Sequence, residues 1–129
     1  MNLTQKHPLV LVVEPSPALQ KIIEVTFNRA GGQTILYNDP IQALRAIRQK
    51  HFPLPDIAFV DLTPKKKSYQ LIRALKSRFR SQPLPVIAIA QNDRLLFRLK
   101  AQCAGATAFL PKPFTMEQLL ATAVLYSQH

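Results

Sequence analysis

Short, mainly apolar segments alternate along this chain with longer segments whose apolar residues recur every three to four positions. The apolar segments are residues 9–13, 34–37, 57–60, 86–90 and 107–110. Apolar runs without polar alternation are typical of strands that are buried on both faces. Because a helical pattern follows each of them, we expect five βα units that form a parallel sheet with helices on both of its faces.

Capping residues support the boundaries of the first two helices. Ser16 and Pro17 stand before the first helical pattern, and Asp39 and Pro40 stand before the second. A small polar residue is a favourable N-cap, and proline is favourable in the first turn. The third helix is predicted from about residue 68 to residue 78, with Tyr69, Ile72 and Leu75 directed inward.

The fourth helix is predicted to be capped by Asn92 or Asp93 and to end at Gly105. It carries Leu95, Leu96, Leu99 and Cys103. Cysteine in an apolar helical pattern is typical of a small buried side chain, so we expect Cys103 to be buried. The last helix follows Pro113, with apolar residues at 116, 119, 120 and 124.

The length and composition indicate one globular domain over residues 1–129, with its core at about 9–127. The chain has 129 residues, of which 47% are hydrophobic, which suits a single core. No apolar run approaches the roughly 20 residues that span a bilayer, and the polar N-terminus does not resemble a signal peptide. One cysteine excludes an internal disulfide framework. We therefore expect a cytoplasmic protein without a membrane segment.

The positive charge is concentrated in the second half of the chain. Lysines and arginines number 17 against 7 acids, a formal net charge of +10. Residues 62–129 hold eleven of the basic residues but only two acids, which leaves nine of the ten excess charges there. A field of this sign attracts acidic proteins, nucleic acid or anionic membranes. A solvated surface that aids solubility is the simpler interpretation.

An acid and a lysine stand at the ends of two predicted strands. Asp61 ends the third strand, and Lys112 directly follows the fifth strand and Pro111. Open α/β sheets place their ligand sites at the carboxyl ends of the strands. The two residues therefore predict a small site for an anionic group.

With these elements in this order, the chain resembles the receiver domains of two-component response regulators. The resemblance extends from about residue 9 to residue 127. It rests on VLVVEPSPALQKIIEVTFNRAG for the first strand and helix, PDIAFVDL for the third strand, PVIAIA for the fourth and GATAFLPKPF for the fifth. It implies a flavodoxin-like doubly wound sheet with strand order 2-1-3-4-5.

The resemblance also implies roles for individual residues. Asp61 corresponds to the aspartate that accepts a phosphoryl group, and Lys112 to the lysine that contacts the phosphoryl oxygens, with a cis Lys112–Pro113 bond. An acyl phosphate needs positive charge around its oxygens. Mg²⁺ would be held by Glu14, Asp61 and the backbone carbonyl of Thr63. The implied partners are a histidine kinase or phosphotransfer protein and a downstream signalling protein.

The chain departs from the family at three places. Pro15 replaces the second acid after the first strand, so weak Mg²⁺ binding is expected. Ala90 replaces the hydroxyl residue that couples phosphorylation to movement of an aromatic, which corresponds to Phe109. A role for Phe109 as a simple core residue is the favoured interpretation. Residues 65–67 are three lysines in the loop after Asp61, either solvated or placed to attract anions.

Two functional hypotheses follow. The first is a receiver, not an enzyme, that accepts a phosphoryl group on Asp61 and signals through protein contacts. The second is a degenerate pseudo-receiver that binds partners without phosphorylation. Nucleic-acid binding is not expected, because the sequence has no recognisable helix-turn-helix. A dinucleotide enzyme is also not expected, because no glycine-rich turn follows the first strand.

Overall fold

Five parallel strands form a single sheet in the computed structural model, which describes residues 7–91 and 94–127. The strands are β1 (Leu9–Val13), β2 (Gln33–Tyr37), β3 (Ile57–Asp61), β4 (Val86–Ala90) and β5 (Ala108–Pro111). Their order across the sheet is β2-β1-β3-β4-β5, and each neighbouring pair is parallel. The predicted doubly wound sheet and its strand order are confirmed.

A helix follows each strand, as the alternating pattern predicts. The helices are α1 (Pro17–Arg29), α2 (Pro40–Ile47), α3 (Lys65–Arg78), α4 (Leu95–Ala104) and α5 (Met116–Ser127). The predicted caps of the first two helices are confirmed. The Ser16 hydroxyl accepts a hydrogen bond from Leu19 N at 3.2 Å, and the Asp39 carboxylate accepts one from Ile41 N at 2.9 Å.

The strands bury alternate side chains on opposite faces of the sheet, which creates two hydrophobic clusters. On one face the strands pack against α1 and α5, where Phe27 and Phe59 meet with ring centroids 5.7 Å apart. On the other face they pack against α2, α3 and α4. Burial on both faces explains why the central strands contain almost no polar residues.

Two predicted boundaries are corrected by the structure. Helix α3 begins at Lys65 and not at about residue 68, so the lysine triplet forms its first turn. Strand β5 begins and ends one residue later than predicted. The predicted caps of α4, Asn92 and Asp93, lie outside the described residues. The end of α4 is confirmed, because Gly105 is its C-cap with a φ of 118°, a left-handed conformation that glycine adopts without strain.

The apolar face of α4 differs from the face that its leucines suggest. Cys103 is exposed, so the prediction that it is buried is wrong. Leu95, Leu96 and Leu99 are also exposed, whereas Ala101 and Ala104 are buried against the sheet. With Phe97, which packs on the same core cluster, these alanines occupy positions i, i+4 and i+7 of one helical face. The inner face of α4 is therefore built from small residues, and its leucines face solvent.

Among the described residues, no helix is long and apolar enough to cross a bilayer.

Candidate functional site

The carboxyl edge of the sheet brings together three charged residues that are far apart in the sequence. Glu14 directly follows β1, Asp61 ends β3, and Lys112 directly follows β5. Strands β1 and β3 are neighbours, while β5 is separated from β3 by β4. The lysine side chain therefore reaches across the end of β4 to meet the two acids. Asp61 and Lys112 therefore lie together at this edge of the sheet, as the sequence predicts.

Lys112 forms ion pairs with both acids. Its Nζ lies 2.7 Å from Asp61 Oδ2 and 3.0 Å from Glu14 Oε1. It also donates a hydrogen bond of 3.2 Å to Glu14 Oε2, which accepts a second bond from Ser16 N at 2.9 Å. The two acids are almost completely buried, and 18% of the lysine side chain is exposed. One cation thus serves two buried carboxylates.

The surroundings of Lys112 act on its pKa in opposite directions. Burial lowers the pKa of the ammonium group, but the hydrogen bonds to Asp61 and Glu14, together with their charges, outweigh burial and raise it. Opposite charges at contact distance favour the charged form of both partners. Lys112 is therefore a permanent cation at neutral pH, as a group that contacts phosphoryl oxygens needs to be.

A cavity of about 540 Å³ opens beside these residues. We call it the carboxylate cavity, because Glu14 and Asp61 form part of its wall. Pro15, Thr63 and Ala90 also line it. Two proline bonds near the cavity are cis, Lys112–Pro113 and Thr63–Pro64. The first was predicted from the resemblance and is confirmed, whereas the second was not predicted.

Ser68 forms a hydrogen bond with the backbone of Asp61, a role that we did not predict from the sequence. Its hydroxyl is buried and donates a hydrogen bond of 2.9 Å to the backbone carbonyl of Asp61. Ser68 lies on the buried side of α3 together with Leu71, Ile72 and Leu75. A polar residue at helical spacing with a buried apolar stripe was the available signal, because a buried hydroxyl needs a hydrogen-bond partner.

The buried oxygens of the site fit a divalent cation. Asp61 Oδ1 is buried without a hydrogen-bond partner, and Glu14 Oε1 accepts no hydrogen bond although Lys112 Nζ is near. Mg²⁺ is usually held through one or two carboxylates and other oxygens. Across residues 7–91 and 94–127, no cluster of three or more His, Cys, Asp and Glu side chains is present. The donor set is therefore two carboxylates, with Thr63 in the cavity wall.

The two residues predicted to form a switch lie on neighbouring strands, and both contact the same core cluster on one face of the sheet. Ala90 ends β4 in the wall of the carboxylate cavity. Phe109 in β5 is half-buried and packs against a core cluster, with the Arg98 guanidinium 5.5 Å from its ring centroid. An arginine over an aromatic face is a favourable contact. A switching role for this pair stays a prediction.

The two acids and their lysine lie at the carboxyl edge of a doubly wound sheet, where proteins of this architecture place their ligand sites. The sequence model of the response regulator receiver domain matches residues 10–124. The chain therefore belongs to the response regulator receiver domain family and functions in two-component signalling. Receiver domains are signalling modules that interact with histidine kinases and downstream signalling proteins, and they are not classical enzymes.

Two relatives illustrate the range of proteins that carry this domain. The chain is 30% identical to Protein PilG of Pseudomonas aeruginosa over 112 residues, which cover 86% of this chain and 81% of PilG. It is 28% identical to response regulator MprA of Mycobacterium leprae, where the match covers 87% of this chain. The chain spans about half the length of MprA, 47%.

Solved receiver structures have the same fold. The receiver domain of a sensor histidine kinase from Pseudomonas aeruginosa PAO1 superposes with a TM-score of 0.78 at 28% identity, covering 94% of this chain and 98% of that one. That structure has a magnesium ion in its active site cleft. The chemotaxis protein CheY4 of Vibrio cholerae superposes with a TM-score of 0.81 at 22% identity, covering 93% and 98%. The similarity to CheY4 shows that the two chains have the same fold.

Proposed function

We propose that Asp61 accepts a phosphoryl group from a partner histidine kinase or phosphotransfer protein. The observation that carries this proposal is the unequal surroundings of the two carboxylate oxygens. Oδ2 is 2.7 Å from the Lys112 ammonium, whereas Oδ1 is buried without a partner at the carboxylate cavity. An unpaired buried oxygen is unfavourable unless another group completes its contacts.

In the proposed transfer, a carboxylate oxygen of Asp61 attacks the phosphorus of a phosphohistidine. The new O–P bond forms as the P–N bond breaks, and the electron pair of the broken bond stays on the imidazole, which takes a proton from water and leaves as the neutral ring. Lys112 contacts the phosphoryl oxygens and balances their charge. The hydrogen bond from Ser68 holds the Asp61 backbone in place during the exchange. The product is an acyl phosphate on the end of β3.

Mg²⁺ would be held by Glu14, Asp61 and the Thr63 carbonyl, and when bound it neutralises charge on the phosphoryl oxygens. Weak binding follows from this chain's own residues. Glu14 already contacts Lys112 and accepts a hydrogen bond from Ser16 N, and Pro15 supplies no carboxylate. A cation therefore competes with existing partners for the oxygens of Glu14.

The test is the intact mass of the protein after incubation with acetyl phosphate and Mg²⁺. We expect a partial population that is heavier by one phosphoryl group and absent in Asp61→Asn. The matched control is Asp39→Asn, the same chemical change at an aspartate that caps α2 and lies outside the carboxylate cavity. This variant should be modified to the same extent as the wild type.

Absence of the adduct at high donor concentration would contradict the proposal. The phosphorylation-independent pseudo-receiver would then be the better description. An adduct that persists in Asp61→Asn would place the acceptor elsewhere and would equally overturn the assignment of Asp61.

A further inference from the structure

A groove of about 500 Å³ lies between α3 and α4, next to the carboxylate cavity. We call it the basic groove. Its wall contains Lys65, Lys66, Lys100, Tyr69, Leu96 and Phe97, and Arg94 adds a fourth cation. Among residues 7–91 and 94–127, no acidic side chain lines it. Its charge therefore differs from that of the carboxylate cavity, whose wall contains two acids, Glu14 and Asp61, and two lysines, Lys65 and Lys112.

The groove places lysines at the end of a helix where positive charge is unfavourable. Helix α3 begins with three lysines, has no acid in its first turn and has no side-chain cap. The N-terminus of a helix carries a partial positive charge, so acids are stabilising there and bases are not. The lysines and the free backbone N–H groups of this turn act together as an attractor of anions.

The lysines of the groove are also without an acidic partner. Among residues 7–91 and 94–127, the ion pairs involve Lys21 and Lys112 only. The Lys65 ammonium instead lies 4.5 Å from the centroid of the Phe97 ring. Such a contact leaves the positive charge uncompensated. An incoming carboxylate would therefore meet Lys65, Lys66 and Lys100 without competition from an acid of the described residues.

Tyr69 supplies a neutral hydrogen-bond donor to the same wall. Its hydroxyl oxygen is buried and has no hydrogen-bond partner. Burial raises the pKa of the phenol, so the group keeps its proton at physiological pH. A buried hydroxyl without a hydrogen-bond partner is unfavourable. A carboxylate oxygen that reached this hydroxyl would supply the missing partner.

Apolar side chains flank the cations. Leu96 lines the groove and is 63% exposed, and Leu95 and Leu99 of the same helix are 72% and 46% exposed. These leucines are not required by the core, because α4 packs on the sheet through its alanines. Exposed leucines next to lysines without an ion pair form a surface that complements both acidic and apolar side chains.

We propose that the basic groove binds an acidic segment of a partner protein that also carries apolar side chains. Its carboxylates would contact Lys66, Lys100 and the Tyr69 hydroxyl, and its apolar residues would pack on Leu96 and Phe97. A phosphate backbone would leave the leucines without partners. A flat anionic membrane would not enter a groove between two helices. The proposal does not depend on phosphorylation of Asp61.

The probe is a fluorescent helical peptide in which glutamates and leucines occupy opposite faces, measured by anisotropy with the full chain. We expect Lys66→Glu to weaken binding about tenfold, because an attractive contact becomes a repulsive one. Lys67→Glu is the matched control. It makes the same charge change in the same helical turn, but Lys67 does not line the groove, so the loss should be at most about twofold.

Two further variants separate the contribution of the Tyr69 hydroxyl to binding from that of the Leu96 side chain. Tyr69→Phe keeps the ring and removes the hydroxyl, and we expect about fivefold weaker binding. Leu96→Ser should weaken the leucine-containing peptide but not a polyglutamate of equal charge. Amide chemical shifts should change in the first turn of α3 and along α4, and remain unchanged in α1 and α5.

Several outcomes would overturn the proposal. Equal losses for Lys66→Glu and Lys67→Glu would show a general electrostatic attraction and no site. Polyglutamate that binds as tightly as the amphipathic peptide would remove the role of the leucines. Tighter, Lys66-dependent binding to a DNA duplex or to anionic vesicles would replace the protein partner by a nucleic acid or a membrane surface.

Discussion

Two neighbouring cavities share Lys65 and Phe97 in their walls but differ in charge, because the first contains acids as well as lysines, whereas every charged residue in the described wall of the second is a cation. In the carboxylate cavity, Lys112 is surrounded by two buried acids that pair with it. In the basic groove, Lys65, Lys66 and Lys100 face solvent and form no ion pair with an acid of the described residues. The ion pairs of the first cavity lie within the fold, so its charged residues contribute to the stability of the fold. The three lysines of the groove are available to a partner.

This difference explains why substitutions of lysine should have opposite consequences in the two places. Removing the cation from a buried acid strongly destabilises the folded protein. A surface lysine at a helix N-terminus contributes little or unfavourably. Measurements of stability can therefore distinguish the two sites. A lysine that stabilises the fold lies in the carboxylate cavity, and a lysine that is available for binding lies in the basic groove.

The largest expected effect is that of Lys112→Met. It leaves Glu14 and Asp61 buried without a cation, so the free energy of unfolding should fall by about 3 kcal/mol near neutral pH. The measurement is urea denaturation. Lys66→Met, the same change in the basic groove, should leave the stability unchanged or slightly higher. Equal effects of the two substitutions would remove the distinction between the cavities.

The difference in stability between the wild type and Lys112→Met should depend on pH, and the pKa of Lys112 gives the sign of that dependence. The pKa of Lys112 is raised in the folded state above its ordinary value of 10.5. The stabilisation by Lys112 is therefore complete below pH 10.5 and is lost as the pH rises through the higher folded-state value. The difference in stability between wild type and Lys112→Met should accordingly shrink above pH 10.5. A difference that grows there would contradict the ion pairs.

A smaller effect is expected when an acid is added to the carboxylate cavity. Pro15 is exposed and lines the cavity. Pro15→Asp places a further carboxylate beside Glu14 and should tighten Mg²⁺ binding about tenfold, measured by titration of the amide shifts around Asp61. Pro15→Asn is the uncharged control. If both variants bind Mg²⁺ equally well, the proline backbone and not the missing charge limits binding.

The smallest effect concerns the support of Asp61. Ser68→Ala removes the hydrogen bond to the Asp61 carbonyl and should lower the free energy of unfolding by about 1 kcal/mol. Ser77→Ala serves as the control, because Ser77 is an exposed serine of the same helix. Thermal or urea unfolding of the two variants gives the comparison. Identical stabilities would show that the Ser68 contact does not hold the end of β3.

The outcome for α4 shows where sequence patterns mislead. Leucine is more hydrophobic than alanine, so the spacing of Leu95, Leu96 and Leu99 suggests the buried face. The structure buries Ala101 and Ala104 instead. Both faces have helical periodicity, and the choice between them depends on how closely the helix approaches the sheet. That distance is set by elements elsewhere in the chain, and a local pattern does not contain it.

Local chemistry alone determined the succession of strands and helices along the chain. It also determined the caps at Ser16 and Asp39 and the end of α4 at Gly105. Each of these features depends on neighbours within a few positions. The ends of the predicted strands also drew attention to Asp61 and Lys112, and the resemblance to a family implied their roles. Only the tertiary structure decided that Lys112 also pairs with Glu14, 98 positions away, and that α3 and α4 enclose a groove of unpaired lysines. Contacts of this kind arise from the spacing of packed elements, which no short segment encodes.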